Sequence, residues 1–316
     1  MGSETALTQR DAVLLAQVVA QRAASEIGAR TVAIKGPVAE FHGLRPPRAM
    51  SDADIWCEPG RVGDLVARLG DYGWRPRPES ALGRLLTTHS ISVIHPGWPC
   101  DIDVHRDFPG FLADPEGVFD ELWERRVAID IAGIMVDALD REASILVGAL
   151  HALRNPGRRV RDDAELQYLE AAIRGTFDVE GLQRLREEAE LLGAMETARA
   201  FLERVGLELG PPLPPGKDKD LDAWRLRTAS GASVLVRTLI ALRDSRWRSR
   251  PRLLLAAIWP SAASLRIDHP EIVAGRASAL GTRVVRLSRG VRSVPAALRA
   301  SSRVRRGHQV ERDREI

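Results

Sequence analysis

The chain has 316 residues, 44% hydrophobic and 28% charged, a balance that marks a folded globular protein with room for two domains. Its two cysteines, Cys57 and Cys100, supply neither a disulfide framework nor a Cys-x-x-Cys zinc pattern, so a reducing compartment, the cytoplasm, is expected. No run of 18 apolar residues occurs and residues 1–6 lack a basic region leading into an apolar stretch, so neither a transmembrane span nor a leader is expected.

In chain order, residues 9–28 read as an amphipathic helix with Val13, Leu14, Leu15, Val18, Val19 and Ala23 inward. Residues 31–34 are a short apolar, β-branched strand that runs into Lys35-Gly36-Pro37. Gly permits close backbone approach and Pro suits the first turn of a helix, so strand, tight turn and helix start follow one another. A helix start offers free N–H groups to a phosphate. Next comes Arg48-Ala49-Met50-Ser51-Asp52-Ala53-Asp54-Ile55-Trp56. A helix is expected over 60–69, then strands around 73–77, 88–95 and 100–105, with Pro96-Gly97-Trp98-Pro99 as a turn. Residues 129–136 read as a late hairpin, which closes an α/β half near residue 140.

Side chains alternate faces along a strand, so Asp52 and Asp54 point the same way, and Asp103 of Cys100-Asp101-Ile102-Asp103-Val104-His105 can complete a triad from a neighbouring strand. Carboxylates this close repel one another unless a cation intervenes, and Mg²⁺ prefers such oxygen ligands together with substrate phosphates. Asp-x-Asp alone also fits a solvated strand end; the strand, turn and helix start upstream favour chemistry. Asp101 shares a face with Asp103, so the third ligand is open between them, with Asp103 preferred. Only three of the 46 basic residues are lysines, which gives Lys35, at a strand end, the weight of a phosphate contact or a counter-charge to the aspartates. Arg48 fits a triphosphate contact or a simple ion pair. His105 and His89 fit a proton shuttle, an acceptor contact or an ordinary structural role. P-loop, Rossmann and Gly-x-Ser-x-Gly patterns do not occur.

Lys35-Gly36, then Arg48, Ser51, Asp52, Asp54, and later Asp103 and His105, resemble the nucleotidyltransferase superfamily of DNA polymerase β type. More narrowly they resemble its bacterial uncharacterised nucleotidyltransferase family, itself similar to abortive-infection nucleotidyltransferase toxins. The resemblance implies an α+β fold: a small mixed sheet flanked by helices, then a mostly helical C-terminal domain. It implies two Mg²⁺ ions, with Mn²⁺ as a substitute, held by catalytic Asp52, Asp54 and Asp103. Lys35, Gly36, Arg48 and Ser51 then form the nucleotide side, and Asp101, His105 and His89 lie toward the acceptor or behind the ligands. The reaction implied moves a nucleoside monophosphate from an NTP to an unidentified acceptor, a small molecule, peptide or protein, and releases pyrophosphate. Pro37 departs from the family, where a small or hydroxyl-bearing residue faces the triphosphate, and removes one N–H there.

After residue 140 strand signals stop. Segments 141–155, 162–174, 179–192 and 194–207 carry Ala, Leu, Glu and Arg at helical spacing, so residues 141–316 are expected as a helical domain, interrupted by a stiff Pro/Gly linker at 210–216. Residues 1–216 hold 24 basic and 34 acidic side chains, whereas 217–316 hold 22 and 9. The segment 283–306 carries eight arginines and no acid, a solvated face or a surface for nucleic acid, an acidic peptide or a membrane. Trp247 and Trp259 flank the apolar residues 253–258, expected as core or as an interfacial segment. Two further classes therefore stand beside the enzyme reading: a toxin-like nucleotidyltransferase acting on tRNA, and a degenerate member that binds nucleotide or a partner without turnover.

Overall fold

Why the carboxylates come together follows from the strands that carry them. The protein is seen in a computed structural model that describes residues 7–80, 82–83, 89–154, 160–229, 234–245, 247–261, 264–265, 267, 281, 283–285, 288, 292 and 295. The apolar residues of β1 (Thr31–Ile34) are buried throughout. Around it lie β2 (Asp52–Cys57), β3 (Arg75–Pro76), β4 (Ser90–Ile94), β5 (Asp101–His105), β6 (Val127–Ile131) and β7 (Ile134–Ala138). Among the described residues they form one mixed sheet in the order β3-β4-β5-β2-β1-β7-β6. The pairs β2–β5 and β1–β7 are parallel, and the other neighbours are antiparallel. The β6–β7 hairpin turns through Ala132 and Gly133, both at positive φ, as a two-residue turn requires.

One face of the sheet is closed by α1 (Gln9–Glu26) and α3 (Val62–Asp71). The inward face of α1 is mostly alanine: Ala12, Ala16, Ala20, Ala23 and Ala24 are fully buried, so the helix approaches the sheet closely. Leu65 and Leu69 of α3 and Ala53, Ile55, Ile102 and Val104 of the sheet complete this core. Each buried leucine contributes about 2 kcal/mol by leaving water. Cys57 and Cys100 belong to the same core as free thiols, and burial pushes them up to about 12 and about 11. Gln17 is the polar exception on α1. It is buried, and its Nε2 donates to the Asp54 carbonyl at 3.2 Å, which fixes β2 from behind.

Further helices are α2 (Gly36–Phe41), α4 (Pro115–Glu124), α5 (Arg141–Leu153), α6 (Val160–Arg174), α7 (Val179–Leu191) and α8 (Arg199–Arg204), followed by α9 (Lys219–Ala229), α10 (Val234–Asp244) and α11 (Arg250–Ile258). The chain forms two compact units. The first spans Met1–Arg77, His89–Leu153 and Arg158–Pro212, and the second Pro78–Thr88, Arg154–Gly157 and Leu213–Ile316. The first unit thus continues past residue 140, because most of α5 is buried and later helices are tied to the sheet side of the chain. Thr197 Oγ1 donates to the Gly110 carbonyl at 2.6 Å, and Arg48 reaches Glu165 of α6 at 3.2 Å. The division at 212–213 falls inside the Pro/Gly stretch.

Other differences have local causes. Leu15 is 37% exposed, because α1 turns its alanine face inward. Strand β3 keeps two residues of the expected five, since Pro76 and Pro78 cannot donate to a ladder. Helix α8 covers six residues of the expected 194–207, after Gly193 ends α7 at φ 67°. Helix α4 was not expected, although Asp114 caps it by accepting from Gly117 N–H and Pro115 opens it. In the second unit Ala223, Val236 and Ile240 form a small core. Most of the arginines of 283–306 lie outside the described residues. No helix among the described residues is long and apolar enough to cross a membrane.

Candidate active site

The parallel pairing of β2 with β5 sets Asp52 opposite Asp101, Asp54 opposite Asp103 and Trp56 opposite His105. Paired residues share a face, so all six side chains leave the sheet on the side opposite α1 and α3. The next strand adds Ser92 opposite Asp103 and Ser90 opposite His105. From the other side, the end of β1 brings Lys35, whose Nζ lies 2.6 Å from Asp54 Oδ1. His105 Nε2 lies 2.9 Å from the same oxygen. Asp54 and His105 are buried, and Asp52 and Asp103 are half-buried.

Lys35 takes φ 55° and ψ −144°, a conformation natural to glycine, at a cost of about 1–3 kcal/mol for a lysine. Gly36 follows at φ 27°, and a Cβ there would stand 3.2 Å from Met50 Sδ. Pro37 is buried in the first turn of α2. The strained turn aims the ammonium back over the sheet, 5.5 Å from the Phe108 ring centroid. Phe108 in turn packs against His105, Trp56 and Phe111.

Electrostatics divide the carboxylates. Burial alone pushes Asp54 up, but Lys35 and His105 outweigh it and hold the carboxyl well below the usual range. Asp52 is pushed up to about 6, first by burial and then by the negative charge of Asp54 and Asp103. Burial also drives the His105 imidazole below its ordinary value, against the bond to Asp54. A neutral His105 that donates from Nε2 leaves its buried Nδ1 without a hydrogen-bond partner among the described residues.

The other sequence candidates fall as follows. Ser51 Oγ donates to Asp52 Oδ1 at 3.0 Å. Arg48 turns to acids other than the aspartates: its N–H donates to Glu40 at 3.2 Å and its guanidinium to Glu165 at 3.2 Å. Asp101 pairs with Arg77, while Asp103 accepts from Ser92 Oγ at 2.5 Å. The His89 ring lies tilted by 36° beside His105, 6.0 Å from centroid to centroid. Ser92, Gln17, Phe108 and Glu165 were not legible from the sequence. The Ser-x-Ser alternation of β4 was the one available signal, since it repeats the period of Asp-x-Asp.

The donor set suits a divalent cation. The ligand atoms of Asp54, Asp103 and His105 lie within 4.8 Å of one another, and Asp52 stands on the same sheet face two residues before Asp54. Carboxylate oxygens dominate the group, as Mg²⁺ or Mn²⁺ requires.

No protein-family model matches the sequence, and no curated protein matches it. Among solved structures, an antigenic nucleotidyltransferase-like protein from Paracoccidioides brasiliensis is 15% identical, with 63% of this chain and 94% of that chain covered, at a TM-score of 0.40. ANT(2")-Ia in complex with adenylyl-2"-tobramycin is 16% identical, with 60% and 97% covered, at a TM-score of 0.38. The lincosamide antibiotic adenylyltransferase LnuA, lincomycin-bound, is 15% identical, with 53% and 99% covered, at a TM-score of 0.35.

Proposed function

We propose that the chain is a metal-dependent nucleotidyltransferase that transfers a nucleoside monophosphate from an NTP to a hydroxyl of a small molecule, peptide or protein and releases pyrophosphate. The observation that carries this reading is three carboxylates from two adjacent strands on one sheet face, of which Asp54 and Asp103 come within ligating reach of one another and of His105, with the Lys35 ammonium on the buried Asp54.

Asp52, Asp54 and Asp103 would hold Mg²⁺, which when bound neutralises triphosphate charge and the leaving pyrophosphate. Lys35 reaches a phosphate oxygen from its strained turn, while His105 and Gln17 keep Asp54 and β2 in place. Asp103, oriented by Ser92, takes the proton of the acceptor hydroxyl. The acceptor oxygen bonds to the α-phosphorus as the bond to the bridging oxygen breaks, and the electron pair leaves with pyrophosphate. Most of the rate then comes from positioning and fixed charge.

Calorimetry with ATP, CTP, GTP and UTP tests the assignment, with Mg²⁺, on wild type and on an Asp52→Asn, Asp54→Asn variant. Metal-dependent binding of one nucleotide by wild type, absent in the variant, is expected. Binding that survives in the variant or needs no metal removes the aspartates from this role. A second reading, nucleotide binding without transfer, is favoured by Pro37, which offers no N–H at the start of α2. Pyrophosphate release by the wild type in the presence of an acceptor rules that second reading out.

A further inference from the structure

The second unit presents an apolar face that its own core does not use. Helix α11 buries Leu253, while Leu254, Leu255 and Ile258 are 42%, 64% and 51% exposed. With Pro251, these residues recur at helical spacing and form one stripe on the side away from Leu253. Trp247, just before the helix, is 73% exposed, and Trp259, its C-cap, 46%. Of the two expectations for residues 253–258, core or interfacial segment, core fits Leu253 alone, the one fully buried residue of the stretch.

Charge says what covers this face. Residues 245–267 contain five arginines and no acid. Arg248, Arg250 and Arg252 are exposed beside the stripe, at the end of α11 where Arg250 also donates to the carbonyls of Ser245 and Arg243. Arg283 lies 4.7 Å from the Trp259 ring centroid and donates to the Pro260 carbonyl, so a further cation stands at the other end. A second copy of the chain would bring like charges together. Nucleic acid would leave the aliphatic stripe in water, since its bases need flat aromatic platforms. An anionic lipid surface satisfies both features: headgroups take the arginines, the apolar stripe enters the acyl boundary, and tryptophans favour the interface.

We propose that α11, with Trp247 and Trp259 at its ends, docks the protein onto membranes bearing anionic headgroups, lying in the interface plane without crossing it. Each arginine that meets the surface adds about fivefold to partitioning.

The test is sedimentation of the full-length chain with vesicles of phosphatidylcholine alone and of phosphatidylcholine with phosphatidylglycerol, read alongside tryptophan emission. Wild type should bind only the anionic vesicles, with a blue shift and with affinity that falls as salt rises. Leu255→Glu with Ile258→Glu, at exposed positions, should weaken binding more than tenfold. Arg248→Gln with Arg252→Gln should weaken it by an order of magnitude or more while leaving the apolar stripe intact. No binding by wild type at low salt would overturn the proposal. So would vesicle binding by either double variant as tight as that of wild type, or a dimer in light scattering that the Glu variant dissolves while vesicles go unbound.

Discussion

Lys35 holds Asp54 Oδ1, so on the proposed function its ammonium and a divalent ion would compete for that oxygen. Replacing it with Ala should therefore move two quantities in opposite directions. Apparent Mn²⁺ affinity rises several-fold, because Asp54 Oδ1 loses its ammonium and keeps only His105, while metal-free stability falls by about 3 kcal/mol, because a buried carboxylate is left facing two others. Lys35→Gly should be about 1 kcal/mol more stable than Lys35→Ala, since glycine accepts φ 55° without strain. Metal titration by calorimetry and urea unfolding read the two effects; a fall in Mn²⁺ affinity for both variants would make Lys35 an aid to the metal and refute the competition. Composition singled out this lysine, and the structure sets its ammonium on Asp54. Arg48 shows the limit of such reading, because whether an arginine faces a phosphate or Glu165 depends on a helix more than a hundred positions away.

At the scale of elements, the strands that carry the aspartates were legible because alternation has a short period and Val, Ile and Trp mark it plainly. Where helices stop was less so. Helix α7 ends at Gly193, whose φ is 67°, and a Cβ there would come within 2.5 Å of the Ala113 backbone nitrogen. That approach packs the helix end against the loop leading into α4, with Leu112 and Ala113 N–H groups each 3.4 Å from carbonyls of Gly193 and Leu192. No periodicity in residues 194–207 carries this information, which is why one long helix was expected there. Gly193→Ala should cost well over 1 kcal/mol, through both its φ and the clash. Thermal unfolding checks this; a change within about 0.5 kcal/mol would mean that the loop moves aside freely.

Within the first unit as a whole, one buried acid couples α4, α5 and α7. Glu188 of α7 is fully buried against Arg125, which also holds Asp140. Burial and the nearby Asp140 raise Glu188 to about 7, and Arg125 only partly opposes them. A carboxyl raised on folding binds its proton more tightly in the native state. Its contribution is therefore complete below the unfolded value of 4.5 and lost as pH rises through about 7, a change of about 3 kcal/mol. Glu188→Gln should flatten the stability profile between pH 5 and pH 8, measured by urea midpoints; an unchanged slope would assign the titration elsewhere. Helical spacing puts Glu188 on the face of Leu185, Ala189 and Leu192 and leaves Glu187 and Glu190 in solvent, but spacing along one helix does not name Arg125 as its partner. The uneven charge of the chain was plain from the start, but its exposed apolar companion on α11 needed the packing.

The shared register of β2 and β5 also constrains how this gene can change. Along β2 the even positions 52, 54 and 56 lie on the face of the aspartates, and the odd positions 53, 55 and 57 face the alanine-lined core; along β5 the parity is reversed. Loss or gain of one residue within either strand would exchange the two sets, sending carboxylates into the core and isoleucines into the site. Substitutions can therefore be sampled one by one in these strands, whereas their lengths are locked together, and variation in length is confined to the turns that join them.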